Sequence, residues 1–203
     1  FMQGKARFYI MPLIMSVIAL VCIAFPQYAE ARSANKEKYA SIVIDADTGL
    51  VLNHRHADST RHPASLTKIM TIYMVFEALE NGKISLNDRV RISRHAASMV
   101  PSKLGLPSGS SIRVKDAISA LVTKSANDVA AALAEHIAGT ESAFARRMTQ
   151  KAHELGMRST RFRNASGLHH RHQVSTARDM ARLARAVLHD YPQYYRYFST
   201  QRF

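Results

Sequence analysis

The chain has 203 residues, of which 47% are hydrophobic and 21% charged, so it has the size and composition of one globular domain rather than of a repeat or low-complexity protein. Its one cysteine, Cys22, excludes an internal disulfide. Lysine and arginine outnumber the acidic residues by 28 to 15, a net charge of +13, yet no basic run with interleaved aromatic residues occurs. This distribution argues against a nucleic-acid partner and predicts attraction to an anionic envelope surface.

The N-terminus has the pattern of a secretory signal peptide. Lys5 and Arg7 precede an apolar run over residues 8–25, and small residues at Ala29 and Ala31 follow. We therefore expect a signal peptide over residues 1–31, cleaved after Ala31. An uncleaved membrane anchor is the alternative, because an apolar run of about 18 residues is near the minimum for crossing a bilayer. Both interpretations predict an exported protein, in the periplasm or on the outer face of the cytoplasmic membrane.

The mature chain is predicted to begin with a polar linker and a β-hairpin. Residues 32–38 are polar, and residues 39–45 are rich in β-formers. A turn at 47–49 and a second strand at 50–52 complete the hairpin. Residues 53–64, which are polar and contain Pro63, are expected to form a loop.

Four helical segments are expected after this loop. Residues 66–79 predict a helix that is buried on most of its faces, with Asn81 and Gly82 ending it. After a mixed stretch at 83–112, a helical pattern over 114–137 is interrupted at 124–128. The remaining helices are predicted at 141–155 and, capped by Ser175, at 177–188. Because one hairpin cannot by itself form a stable sheet under such a helical layer, we expect the fold to lack C-terminal strands.

Ser65 and Lys68 are the strongest candidates for chemistry. Residues three apart share one face of a helix, so the Lys68 amine can reach the Ser65 hydroxyl. A lysine kept out of water can stay neutral enough to act as a base, and the helix N-terminus can stabilise a developing oxyanion. Ser33 and Ser85 begin similar short patterns, but they lie in a polar stretch and an expected surface turn.

Ser125 and Asn127 interrupt the helical pattern at 124–128 and form a second candidate group. The serine could relay a proton from Lys68 to a leaving amine, and the Asn127 amide could hold a substrate carbonyl. Capping of a helix break by the two side chains is the structural alternative.

Together these motifs resemble those of a known family. Residues 63–71, Pro-Ala-Ser-Leu-Thr-Lys-Ile-Met-Thr, and residues 124–130, Lys-Ser-Ala-Asn-Asp-Val-Ala, are similar to the first two motifs of low-molecular-mass penicillin-binding proteins that are D-alanyl-D-alanine carboxypeptidases. Stretches at 43–49, 162–168 and 175–180 agree. The resemblance covers residues 39–203, which we interpret as the N-terminal part of a D,D-peptidase catalytic domain.

The resemblance implies a fold, a reaction and site residues. The implied fold is of the α/β class, an antiparallel sheet flanked by helices with a helical subdomain, as in penicillin-binding proteins and β-lactamases. Catalytic roles fall to Ser65, Lys68 and Ser125, and substrate binding to Asn127, with no metal or cofactor. The expected partners are peptidoglycan stem peptides and β-lactam antibiotics, and the charge leaves room for a peripheral membrane contact.

One feature departs from the family pattern. The third family motif, Lys-Thr-Gly, does not occur in the chain, and the family places it on a late strand. We therefore expect the 203-residue chain to be truncated before that motif and to be inactive alone. If no such motif is encoded further on, a non-catalytic wall-binding protein is the better interpretation.

Three further alternatives remain open. A serine β-lactamase would need a deacylating carboxylate, and residues 156–175 contain no Asp or Glu. A D,D-endopeptidase of the same family shares all these motifs. A zinc site could use His54, His56 and the histidines of 169–172, although no acidic ligand is nearby in the sequence.

Overall fold

The computed structural model describes residues 39–200, so the predicted signal peptide (1–31) and linker (32–38) lie outside the described residues. Residues from Ala40 onward belong to one unit of the fold. Among residues 39–200, no helix has the length and hydrophobicity needed to cross a bilayer.

The predicted N-terminal hairpin is present. Strand β1 (Ser41–Ile44) pairs antiparallel with β2 (Val51–Arg55). Its turn is closed by the Asp45 carboxylate, which accepts hydrogen bonds from the backbone N–H of Thr48 at 2.7 Å and from its hydroxyl at 2.6 Å. Strand β2 extends three residues beyond the predicted end, so residues 53–55, expected in a loop, belong to the sheet.

A buried helix follows, as predicted. A short 3-10 turn, Ala64–Leu66, leads into helix α1 (Thr67–Glu80), ten of whose fourteen residues are buried. The helix packs against α3 (Val114–Lys124), α4 (Asn127–Ala138) and α5 (Glu141–Glu154). Because neighbours surround it, its apolar side chains lie on most of its faces.

The stretch at 83–112, for which the sequence predicted no strand, contains a second small sheet. Strand β3 (Arg89–Arg91) pairs antiparallel with β4 (Ser111–Arg113), and a short helix α2 (Arg94–Ala97) follows β3. Val90 and Ile112 face each other and point into the core. Our expectation of a single hairpin was therefore wrong. Strands of three residues are too short to show the alternation by which strands are recognised.

The other predicted helices are present with small changes at their ends. Helix α6 (Ala177–Asp190) is capped by Thr176, whose hydroxyl accepts from the Asp179 N–H at 3.1 Å. The prediction that Ser175 is the cap was wrong, because the Ser175 hydroxyl instead bonds that of Thr160 at 2.8 Å. A further 3-10 helix, Pro192–Ser199, ends the described chain.

The arrangement is the expected mixture of helices and antiparallel sheet. The β1–β2 hairpin lies against α6, whereas the β3–β4 sheet lies against α4. Helix α1 carries Lys68 in its first turn and packs against α4, which begins at Asn127. This packing brings the start of α4 to the first turn of α1.

Candidate active site

Ser65 lies at the solvent-exposed entrance to helix α1. It is the middle residue of the 3-10 turn Ala64–Leu66, and its side chain is exposed, whereas Thr67 and Lys68 behind it are buried. The preceding residue, Ala64, has a φ of 47°, a conformation that L-residues rarely adopt. The chain thus turns sharply to present the serine at the start of a buried helix.

Lys68 is buried and has polar neighbours but no counter-ion. Its side chain is 3% exposed, and its amine donates hydrogen bonds to Asn127 Oδ1 at 2.8 Å and to the Ser166 carbonyl at 2.5 Å. Among residues 39–200, no carboxylate forms an ion pair with Lys68. Burial therefore disfavours the charged amine and lowers the pKa of Lys68 to about 8.

Hydrogen bonds to these two acceptors orient the neutral Lys68 amine so that it can act as a base. A neutral amine has two N–H bonds and one lone pair, and its two N–H bonds match the acceptors on Asn127 and Ser166. The lone pair then remains free to accept a proton. Within the described residues, no hydrogen bond joins the Lys68 amine to the hydroxyl of Ser65 or Ser125.

Asn127 is fixed on both of its amide atoms. Its Oδ1 accepts from Lys68, and its Nδ2 donates to the Val100 carbonyl at 2.9 Å. Its backbone N–H also donates to the Ser102 carbonyl at 2.8 Å. The structure thus joins the second predicted motif directly to Lys68 and immobilises the amide that holds it.

Ser125 lies at the break between α3 and α4. It has a left-handed backbone (φ 53°, ψ 41°) as the C-terminal cap of α3, and its side chain is half-buried. The structural alternative was that the side chains of Ser125 and Asn127 both cap the break, and for Asn127 it does not hold, because that side chain bonds Lys68 and Val100.

Asp128, beside Asn127, holds the neighbouring loop. Its fully buried carboxylate accepts backbone N–H bonds from Leu104 at 3.0 Å and Gly105 at 2.9 Å. Within residues 39–200, this carboxylate bonds backbone amides and forms no ion pair with Lys68. The aspartate instead fixes the loop whose earlier residues bond Asn127.

A third segment, which we call the site loop (residues 164–173), completes the described site. Its Gly167 packs directly on the turn before Ser65, where an added Cβ would lie 1.9 Å from the Ala64 carbonyl oxygen. Its Ser166 supplies the carbonyl that Lys68 bonds. Neither residue was predicted to have a role in the site, because a contribution made by backbone atoms leaves no side-chain signature in the sequence.

Gln173 and Asn164 hold the site loop in shape. The buried Gln173 accepts the backbone N–H groups of Arg163 and Asn164 at 2.8 and 3.0 Å. Asn164 Oδ1 accepts the Gly167 N–H at 2.8 Å. Glutamine and asparagine side chains that bond nearby backbone groups are typical of an ordered loop.

The other candidates of the sequence analysis lie apart from this group or outside the described chain. Ser85 is exposed in a turn, as expected, and Ser33 lies outside the described residues. Within residues 39–200, no group of three or more His, Cys, Asp or Glu side chains is arranged to hold a metal ion.

Known proteins resemble this chain over most of its length. A family model described as D-alanyl-D-alanine carboxypeptidase matches residues 27–203. The chain is 38% identical over 179 residues to the D-alanyl-D-alanine carboxypeptidase DacF of Bacillus subtilis (strain 168), covering 85% of this chain and 46% of that protein. It is 38% identical over 185 residues to the D-alanyl-D-alanine carboxypeptidase DacC of Escherichia coli (strain K12), covering 88% and 46%.

A solved structure shows the same fold. Penicillin binding protein 5 from Haemophilus influenzae superposes with a TM-score of 0.78 at 34% identity, covering 81% of this chain and 48% of that chain. The chain therefore spans about half the length of the relatives it matches. The matched residues include all four predicted site residues, and by this match the chain belongs to the D-alanyl-D-alanine carboxypeptidase family.

Proposed function

We propose that the protein is a serine D-Ala-D-Ala carboxypeptidase that removes the terminal D-Ala from peptidoglycan stem peptides. The observation that carries the proposal is the buried Lys68 amine, whose pKa is lowered to about 8 one turn after an exposed serine. Membership of the family supplies the substrate class. Because the chain spans about half of its relatives, the activity is proposed for the protein expressed from the complete gene.

The proposed acylation uses Ser65 as nucleophile. Its Oγ forms a bond to the carbonyl carbon of the penultimate D-Ala while its proton moves to the lone pair of Lys68 Nζ. The C–N bond to the terminal D-Ala then breaks. Ser125 relays the proton from Lys68 to the departing amine. The Asn127 amide holds a backbone carbonyl of the substrate.

The proposed deacylation returns the enzyme to its starting state. A water molecule loses a proton to Lys68 as its oxygen bonds to the ester carbonyl carbon. The C–O bond to Ser65 then breaks, and the serine oxygen regains a proton. A penicillin would acylate Ser65 in the same way through its lactam carbonyl, so β-lactams are proposed as inhibitors.

A fluorescent penicillin tests this proposal. We expect the protein from the complete gene to be labelled covalently, and the label to map to the peptide that contains Ser65. Ser65→Ala should abolish labelling, whereas Ser85→Ala, in an exposed turn, should retain it. Labelling that persists in Ser65→Ala would refute Ser65 as the nucleophile.

A D,D-endopeptidase of the same family is the second candidate, because the chain is also 34% identical over 167 residues to the D-alanyl-D-alanine endopeptidase of Escherichia coli (strain K12). Digestion of a purified crosslinked muropeptide dimer distinguishes the two activities. Release of monomers would indicate an endopeptidase, whereas release of D-Ala alone would indicate a carboxypeptidase.

We also propose that the protein is exported and works in the periplasm or at the outer face of the cytoplasmic membrane, in peripheral contact with that membrane. The support is the basic and then apolar pattern of residues 1–31 and the net charge of +13. Fusion of residues 1–38 to alkaline phosphatase should give an active fusion. An inactive, cytoplasmic fusion would refute export.

A further inference from the structure

The site loop, together with Arg163 just before it, carries a cluster of exposed basic side chains. We call the cluster the basic rim, and it comprises Arg163, His169, His170, Arg171 and His172, all of them exposed. Four of the five are consecutive in sequence.

The basic rim is attached to the residues of the proposed reaction. Gly167, two residues before it, touches the turn that carries Ser65, and the ring of His169 packs edge-on against His62 at 5.3 Å between centroids. The side chain of His62 is itself anchored, since its Nδ1 bonds the Gln173 carbonyl at 2.8 Å. Arg171 is four positions after Gly167, so the two Cα atoms lie within about 14 Å, roughly four extended residue lengths.

The positive charge of the basic rim is not neutralised by the described part of the protein. No ion pair within residues 39–200 involves Arg163 or Arg171, and residues 156–175 include no Asp or Glu. Loss of hydration, followed by the positive charge of Arg163 and then those of His172 and Arg171, lowers the pKa of His170. A guanidinium stays protonated across the physiological pH range, so Arg163 and Arg171 are the permanent cations of the basic rim.

Glu141, which contacts the site loop at Ala165, and Asp58 are already engaged by other partners. Glu141 accepts the Ala165 N–H at 2.9 Å with one oxygen and contacts His95 at 2.7 Å with the other. Asp58 forms an ion pair with Arg178 at 2.6 Å. An unneutralised cationic cluster fixed beside a nucleophile is suited to bind an anionic group of the substrate.

We propose that the basic rim binds a carboxylate on the residue that precedes D-Ala-D-Ala in the peptide substrate. This inference rests on the proposed function. In the proposed pose, the peptide runs from Ser65 along the site loop, which touches the turn before Ser65 at Gly167, so the side chain that precedes D-Ala-D-Ala lies beside the basic rim. The forked guanidinium groups of Arg163 and Arg171 offer paired N–H donors to a carboxylate. The anchored loop favours one fixed ligand over an extended lipid surface, which would need a broad basic face.

Two matched peptides test the proposal. One is acetyl-L-Glu-D-Ala-D-Ala, and the other is acetyl-L-Gln-D-Ala-D-Ala, which differs only in carrying an amide in place of the carboxylate. We expect the protein from the complete gene to cleave the glutamate peptide with a kcat/KM about fivefold higher, the scale of an exposed ion pair. The double variant Arg163→Gln/Arg171→Gln should lose this preference and leave cleavage of the glutamine peptide unchanged. Arg89→Gln, an exposed arginine on β3, is the control and should keep the preference.

The possible outcomes distinguish failure of carboxylate binding by the basic rim from failure of the proposed peptidase activity. Equal cleavage of the two peptides by the unmodified protein, or an equal loss on both in the double variant, would overturn the role of the basic rim and leave the peptidase activity standing. Cleavage of neither peptide would refute the proposed function and the inference with it. If the two peptides are cleaved equally and the double variant loses sedimentation with phosphatidylglycerol vesicles, the basic rim binds membrane instead.

Discussion

At the scale of single residues, the site depends on the burial of Lys68. A lysine side chain that is 3% exposed and forms no ion pair with a carboxylate of residues 39–200 is costly to keep charged. Because of this cost, the folded protein favours the neutral amine, and the pKa of Lys68 is lowered. Between the lowered pKa of about 8 and the ordinary value of 10.5, the unfolded chain binds more protons, so stability rises with pH across this window.

The same pKa predicts how the rate of acylation depends on pH. The neutral amine is the base, so acylation of Ser65 by penicillin should rise about tenfold per pH unit at acidic pH and level off above about pH 8. Stopped-flow acylation of the protein from the complete gene measures the profile. Lys68→Arg, which stays protonated, should be slow at every pH. A rate that does not change between pH 6 and 8 would contradict the assignment of Lys68 as base.

At the scale of elements, the site consists of three segments held together by backbone contacts. The 3-10 turn before α1 presents Ser65, the start of α4 presents Asn127, and the site loop presents the Ser166 carbonyl. Gly167 is the point where two of these segments touch. Its φ of 88° and the adjacent Ala64 carbonyl leave no room for a side chain.

Gly167→Ala should therefore damage the site while preserving most of the fold. The added Cβ would lie 2.5 Å from the Ala64 carbonyl carbon, so the site loop must shift away from the turn and take the Ser166 carbonyl with it. A shift of about 1 Å should reduce penicillin acylation by about 100-fold. Gly82→Ala is the control, since Gly82 also has a positive φ, 63°, but no atom within 4 Å of the added Cβ. Equal acylation by the two variants would show that the contact at Gly167 does not matter.

Local patterns in the sequence predicted these elements better than they predicted their contacts. The turn residues near Asp45 indicate a hairpin, and the spacing of Ser65 and Lys68 indicates a helix, each from residues a few positions apart. The structure contains both elements, the β1–β2 hairpin and α1. The bond from Lys68 to Asn127 joins residues 59 apart, and the bond to Ser166 joins residues 98 apart. The Ser166 partner is a backbone carbonyl, which every residue type has, so no sequence pattern could single it out.

At the scale of the whole described chain, the β1–β2 hairpin is held against the helices by α6. Two strands alone are marginal in water, so the hairpin needs a neighbouring element. Arg185 on α6 holds the hairpin in part, by donating hydrogen bonds to the carbonyls of Ala46 at 2.8 Å and Asp47 at 2.6 Å. His189 on the same helix also contacts the Ala46 carbonyl at 2.9 Å. These contacts fasten the hairpin turn to the helical layer.

Arg185→Met should loosen the hairpin without disturbing the catalytic residues. Methionine keeps the apolar stem but loses both hydrogen bonds, which should lower the free energy of local opening by about 1 kcal/mol. Amide hydrogen exchange of β1 and β2 should then be about fivefold faster, while exchange in α1 stays unchanged. Arg146→Met, an exposed position on α5, is the matched control. Unchanged exchange in the hairpin of Arg185→Met would mean that apolar packing against α6 alone holds it, because the two lost hydrogen bonds would then contribute nothing measurable.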